Sequence, residues 1–155
     1  MRIVIAAVGR LRGGPEQDLF SDYRTRFGRT GRQLGLGPLD CVEVEAKKSS
    51  PGIEAQLLAR AVPDGATRVV LDERGRMLGS PDLARQLADW RDQGQRDVAF
   101  LIGGAAGLAP ELRREADLAL SFGPMVWPHM LVRVMLAEQL YRAASILAGT
   151  PYHKA

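Results

Sequence analysis

The chain lacks most of the residues that staple or metallate a small protein. Cys41 is its only cysteine, which excludes an intrachain disulfide and any multi-cysteine zinc site. His129 and His153 are the only histidines, and no paired-histidine spacing for a metal occurs. No metal is therefore expected. No apolar run approaches the roughly 20 residues that cross a bilayer. The apolar start, Ile3 to Val8, is too short for a signal peptide and carries no cleavage-like site. A cytoplasmic protein is the expectation. Lysine is also scarce: Lys47, Lys48 and Lys154 stand against 18 arginines.

What is present describes an ordinary globular chain. Its 155 residues are 46% hydrophobic and 25% charged, which excludes disorder and suits a single domain spanning 1–155. A domain of this size buries roughly 70% of the surface its unfolded chain exposes, so it needs no staple. The net charge is +3. Arginine presents a planar fork that grips phosphates and stacks on bases, so a nucleic-acid partner fits the bias. A genome rich in G and C would give the same bias.

Strand and helix patterns alternate from end to end. Ile3 to Val8 is a continuous apolar run closed by Gly9, as a central parallel strand requires. Gly13-Gly14-Pro15 opens a helix with Leu19, Phe20, Tyr23 and Phe27 at helical spacing, and residues 28–38 read as a loop. Leu39 to Val44 alternates as a second strand. Ser50-Pro51 starts a helix carrying Ile53, Leu57, Leu58 and Ala61. Val69 to Leu71 is a short third strand ending at Asp72. Ser80-Pro81 repeats the cap-and-proline start before Leu83, Leu87 and Trp90. Val98 to Ile102 is the clearest buried strand. Pro110 opens a short helix to about Ala116, Leu118 to Ser121 is a fifth strand, and a long helix runs from His129 to Ala148. Strands separated by helices form a parallel α/β sheet. Ligands of such sheets sit beyond the carboxyl ends of the strands, which points at the loops after Leu71, Ile102 and Ser121.

Four stretches could carry chemistry. Gly103-Gly104-Ala105-Ala106-Gly107 lets a backbone approach a ligand closely, as an ordinary tight strand-to-helix turn would also do. Phe122-Gly123-Pro124-Met125-Val126-Trp127-Pro128 mixes turn formers with large apolar groups. Apolar walls with free backbone polar groups suit an adenine ring, and the same residues suit a loop packed on a neighbour. The last helix is apolar almost all round, which suggests a subunit interface. Glu138 and Arg142 on it lie four residues apart and can pair, whereas Arg133 falls on another face. Tyr152-His153-Lys154 combine a stacking group, a titratable group and a cation at the end of the chain, where residues are usually frayed. Arg10, Arg12, Arg24, Arg26, Arg29 and Arg32 form a basic N-terminal region suited to phosphates, or a solvated face balanced by Glu16, Asp18 and Asp22.

Read together, Arg-Asp-Val-Ala-Phe-Leu-Ile-Gly-Gly ending at Gly104, Trp127-Pro128-His129, Glu138-Gln139-Leu140-Tyr141-Arg142-Ala143 and Pro151-Tyr152-His153-Lys154 resemble the small SPOUT-class methyltransferases of large-subunit ribosomal RNA. The resemblance spans the chain and is densest in its last third. It implies an α/β parallel sheet whose C-terminal part is threaded into a trefoil knot, and a homodimer. It implies S-adenosylmethionine as cofactor, held by Leu71, Gly103, Gly104 and the stretch Phe122, Gly123, Pro124, Met125, Val126 and Trp127. It implies methylation at N3 of a pseudouridine in helix 69 of 23S rRNA within the assembled ribosome. His129, Glu138, Arg142, Tyr152 and His153 match the family's polar positions. Arg142 is then the group that stabilises an anionic base, Glu138 its orienting partner and His153 the proton acceptor, with a tail that could reach across a dimer. Val126 departs from the threonine common before the Pro-His pair.

Overall fold

In the computed structural model, which describes residues 1–155, the pattern resolves into ten elements. They are β1 (Arg2–Val8), α1 (Pro15–Arg32), β2 (Leu39–Val44), α2 (Pro51–Ala61), β3 (Thr67–Met77), α3 (Ser80–Asp92), β4 (Asp97–Ile102), α4 (Pro110–Arg114), β5 (Leu118–Ser121) and α5 (His129–Ala148). All five strands are parallel, in the order β2-β1-β4-β3-β5. The central pair β1 and β4 sets Ile3 beside Val98 and Ile5 beside Phe100. The period of two splits β1 between both faces of the sheet. Ile3, Ile5 and Ala7 join Phe20 and Phe27 of α1, Leu83 and Leu87 of α3, and Leu136 and Leu140 of α5. Val4, Ala6 and Val8 join Leu58 of α2 and Leu112 of α4. A continuous apolar strand thus satisfies two helical layers at once.

Much of the apolar girth of α5 is spent inside the chain against α1, α3 and the sheet. Leu136, Ala137, Leu140, Ala143 and Ala144 are fully buried, and of the helix's large apolar residues only Leu131 is openly exposed. Met130, Val132, Met135, Ile146 and Leu147 keep partial exposure. The conspicuous exposed apolar residues lie elsewhere, at Met77, Met125, Val126 and Trp127.

Three features differ from the sequence pattern. The helix α1 runs on through the expected loop to Arg32, because Phe27 and Gly31 continue its buried face. A β-carbon at Gly31 would stand 2.7 Å from the Leu36 carbonyl oxygen, so the glycine admits the returning chain rather than ending the helix. The expected stripe of α2 is rotated: Glu54 and Leu58 are buried, while Ile53 is exposed. Ser50 occupies the N-cap of α2, and Gly79, not Ser80, that of α3; neither helix start has a side-chain cap hydrogen bond.

The largest difference is β3, which does not stop at Asp72 but continues to Met77. Leu71 and Arg76 both pair with Leu120, so the residues between them are extruded as a bulge. At Gly75 a β-carbon would stand 2.6 Å from the carbonyl carbon and oxygen of Ala119. Only glycine lets the bulged strand lie that close to β5.

After β5 the chain crosses the carboxyl ends of β3 and β4 and descends as α5 at the end of β1. There Arg133 donates to the carbonyl oxygens of Gly9 at 3.0 Å and Val8 at 3.4 Å. This crossing lays residues 122–128 over the same strand ends from which the loops after Leu71 and Ile102 rise.

Candidate active site

The three strand-end loops converge on one cavity of about 560 Å³, within the usual range for a small-molecule site. Leu71, Gly103, Gly104, Phe122, Gly123, Met125, Val126 and Trp127 all line it, and Pro124 does not. The backbone N–H groups of Ala105, Ala106, Met125, Val126 and Trp127 donate to no other backbone group. The cavity thus offers apolar walls edged with unspent donors. The Val126 side chain is 83% exposed, so its missing hydroxyl leaves no buried gap. The bulge of β3 adds Asp72, Glu73 and Arg74 to the wall, which the sequence placed beyond the strand. Asp72 is tied to Arg113 at 2.9 Å and to Arg74 at 3.7 Å, so its charge is already matched.

Gly104 is held by packing as much as by any ligand. A β-carbon there would meet a Val8 methyl at 2.9 Å. The loop folds back on itself through a Gly107 N–H bond to the Gly104 carbonyl at 2.9 Å. Its glycines therefore satisfy the tight-turn reading while lining the cavity.

The polar residues divide into two groups. His129 lines the cavity, at the start of α5 and beside Gly9. Glu138, Arg142, Tyr152 and His153 form a separate cluster further along the helix. From His129 to Arg142 the helix rises about 20 Å at 1.5 Å per residue. The expected Glu138–Arg142 pair is present at 2.6 Å. Tyr152 donates to Glu138 at 2.9 Å, and Arg142 approaches His153 Nδ1 at 3.2 Å. A guanidinium has no lone pair to offer, so Nδ1 accepts and the imidazole proton sits on Nε2. Glu138 hydrogen bonding holds the Arg142 pKa above its usual value, with burial opposing it. Burial, then the Glu138 bond, pushes the Tyr152 phenol well up, so it remains a donor.

The tail is docked, not frayed. Gly149 adopts the left-handed conformation at φ 72°, its N–H bonds to the Ile146 carbonyl at 3.2 Å, and Thr150 N–H bonds to the Ser145 carbonyl at 3.0 Å. This helix stop turns Pro151–His153 back along α5. Tyr152 then packs against Tyr141 with the rings tilted at 56° and their centroids 4.5 Å apart, under the Arg142 guanidinium at 4.8 Å. Tyr141 in turn approaches Tyr23 of α1 at 6.4 Å, and Arg26 lies over both rings. Sequence spacing assigned Tyr23 only to the apolar stripe of α1.

Arg133, expected on another face of α5 from Glu138 and Arg142, stands apart from their cluster. Arg133 is the fully buried arginine, bound to Glu43 at 2.6 Å. It fastens α5 to the ends of β1 and β2, a structural part. In the basic N-terminal region, Arg10 and Arg12 pair with Glu45, Arg24 with Asp40 and Arg26 with Asp22, leaving Arg29 and Arg32 unmatched. Cys41 is no candidate nucleophile, since burial pushes its thiol pKa up against the opposing pull of Arg133. No group of three or more histidine, cysteine, aspartate or glutamate side chains is placed to hold a metal ion, and no helix is long and apolar enough to cross a membrane.

A cavity at the carboxyl ends of a parallel sheet, closed by the segment that crosses from β5 to α5, defines a class. Residues 1–153 match the family described as predicted SPOUT methyltransferase. The chain is 69% identical over 155 residues to the ribosomal RNA large subunit methyltransferase H of Roseobacter denitrificans, covering 99% of each chain. It is 64% identical over 155 residues to the protein of the same name from Ruegeria pomeroyi, and 64% to that of Paracoccus denitrificans, again covering 99% of each chain. The chain therefore belongs to the SPOUT methyltransferase family, and within it stands with the proteins named ribosomal RNA large subunit methyltransferase H.

Proposed function

We propose that the chain transfers a methyl group from S-adenosylmethionine to N3 of a pseudouridine in helix 69 of 23S rRNA. On this reading it acts in the cytoplasm on the assembled ribosome, as a homodimer whose C-terminal part is knotted. The observation that carries the reading is the convergence of Leu71, Gly103, Gly104 and residues 122–127 on one apolar cavity with unspent backbone donors. Such a lining fits an adenosyl group: area for the ring and donors for its polar edge. When bound, the cofactor supplies a methyl group already activated by its sulfonium, which leaves placement and proton handling to the protein.

The cluster on α5 supplies the proton handling. Arg142, held by Glu138, favours the anionic uracil ring that attacks. Tyr152 keeps Glu138 in place by donating to it. His153 takes the N3 proton once Arg142 turns from its Nδ1 to the base. The nucleophile must come within about 3 Å of the methyl group. Within one chain, Arg142 stands about 20 Å along α5 from His129 at the cavity. The second chain of a dimer therefore brings its cluster to the first chain's cavity. The exposed Met125, Val126 and Trp127 at that mouth supply apolar surface for the contact.

The test uses methyl-labelled S-adenosylmethionine with intact ribosomes, separated subunits and bulk transfer RNA, all from cells lacking the gene. Label on one pseudouridine of 23S rRNA, strongest with intact ribosomes, is the expected result. Label confined to transfer RNA overturns the substrate. Cofactor binding without any label overturns the proposed activity.

A further inference from the structure

Glu54 stands apart from every role given so far. It is 5% exposed, on the face of α2 that also buries Leu58. Its Oε1 is fully buried and has no hydrogen-bond partner. Its Oε2 lies 3.4 Å from where a β-carbon of Gly104 would stand, so the carboxylate packs directly behind the glycine loop. Gly104 itself lines the cavity. One residue's thickness of backbone thus separates an unpartnered carboxyl group from the proposed cofactor site. An apolar side chain of the same length would suit the α2 core better, because a buried carboxylate without a partner is costly. Asp72 at the same cavity is already matched by Arg113 and Arg74, so it leaves no such unspent charge.

We propose that Glu54 is the buried counter-charge that selects the cationic part of the cofactor. The assignment rests on S-adenosylmethionine as the ligand, which carries a sulfonium and an ammonium. Behind a wall this thin and dry, a carboxylate attracts a cation in the cavity more strongly than it would through water. The glycine at 104 then has a second consequence. Any larger residue would fill the space through which Glu54 faces the loop, and would screen or displace it.

The test compares binding of three ligands that share the adenosyl group: S-adenosylmethionine, S-adenosylhomocysteine, which lacks the sulfonium, and methylthioadenosine, which carries no cation. Equilibrium binding to the full chain is measured for the unaltered protein and for Glu54→Gln. The expected result is a tenfold or greater loss for S-adenosylmethionine and less than twofold for methylthioadenosine. S-adenosylhomocysteine then locates the contact: a loss like that of the cofactor assigns the ammonium, and its absence assigns the sulfonium. Equal losses for all three ligands overturn the assignment, because Glu54 then only shapes the loop. No loss for the cofactor overturns it too. If the unaltered protein binds none of the three, the cofactor reading fails first and this assignment falls with it. Thermal unfolding without ligand supplies a readout independent of binding, using Glu54→Met alongside Glu54→Gln. Both variants should melt no lower than the unaltered protein, while the shift in melting temperature produced by S-adenosylmethionine shrinks. Variants that both melt several degrees lower make Glu54 a structural residue and overturn the proposal.

Discussion

Arg133 and Arg142 sit nine residues apart on one helix and illustrate how environment assigns a role to a side chain. Arg142 keeps 25% of its side chain exposed while bound to Glu138. Arg133 has no exposed surface; its two terminal nitrogens are bound to Glu43 and to the carbonyls of Val8 and Gly9, while its Nε has no partner. Glu43 also accepts from the Leu11 N–H at 2.8 Å, so a single ion pair holds α5, β1, β2 and the first loop together. Removing one partner of a buried pair leaves the other uncompensated and costs about 3–5 kcal/mol. Glu43 keeps some contact with solvent, which puts Arg133→Met at the lower end, about 3 kcal/mol. Urea denaturation measures it. The double variant Arg133→Met with Glu43→Gln should lose less than the two single losses combined, because the second change removes the stranded charge. Strict additivity, or a loss below about 1 kcal/mol for Arg133→Met, would show that α5 does not depend on this anchor.

At the scale of elements, the bulge in β3 connects local sterics to the cavity wall. Gly75 lets β3 rejoin β5 after the extruded residues, which in turn carry Asp72, Glu73 and Arg74 to the cavity. Gly75→Ala sets a methyl group against the backbone of Ala119, which has no rotamer by which to retreat. Overpacking of this kind costs about 1–3 kcal/mol, and the strain falls on the wall itself. The expected outcome is a lower melting temperature together with weaker cofactor binding. A variant that loses stability but binds normally would separate the bulge from the site. The same element explains what was legible beforehand. Val69 to Leu71 announces a strand through unbroken apolar residues. Asp72-Glu73-Arg74-Gly75-Arg76 reads as a loop, since period and composition register burial but not backbone pairing. The extension of α1 through Gly28 and Gly31 was hidden for a similar reason. Glycine is a poor helix former in isolation, and the space it frees for Leu36 exists only in the folded chain. By contrast, the cavity loops were legible because a parallel sheet dictates where its ligands sit. Arg133 and Glu54 were not, since a charged residue buried by distant parts of the chain leaves no local signal.

The whole molecule poses a problem of distance that one chain does not solve. The cavity and His129 lie at one end of α5, and the Glu138–Arg142–Tyr152–His153 cluster lies further along it. The buried face of α5 against α1, α3 and the sheet, with the stop at Gly149, fixes that arrangement within the chain. A composite site across two chains has a distinctive genetic consequence. Ala105→Trp should block the cavity, because Ala105 lines it and is exposed, and the change should leave the core untouched. Arg142→Ala should spare the cavity and remove the group that favours the anionic base. Each variant alone is then inactive, the first without cofactor binding and the second with it. When the two are unfolded together and refolded, mixed dimers form in which one site combines an open cavity from one chain with an intact Arg142 from the other. Activity should partly return, and it should track the fraction of mixed dimer isolated with a tag on one chain. If both changes are placed on the same chain and mixed with the unaltered protein, the mixed dimer has one site lacking its cavity and one lacking Arg142, so it should be inactive. A site completed within each chain gives the opposite pattern: no recovery from the first mixture and full activity in the unaltered half of the second. The two architectures therefore differ in sign in both mixtures, and the comparison decides between them without knowledge of the dimer's structure.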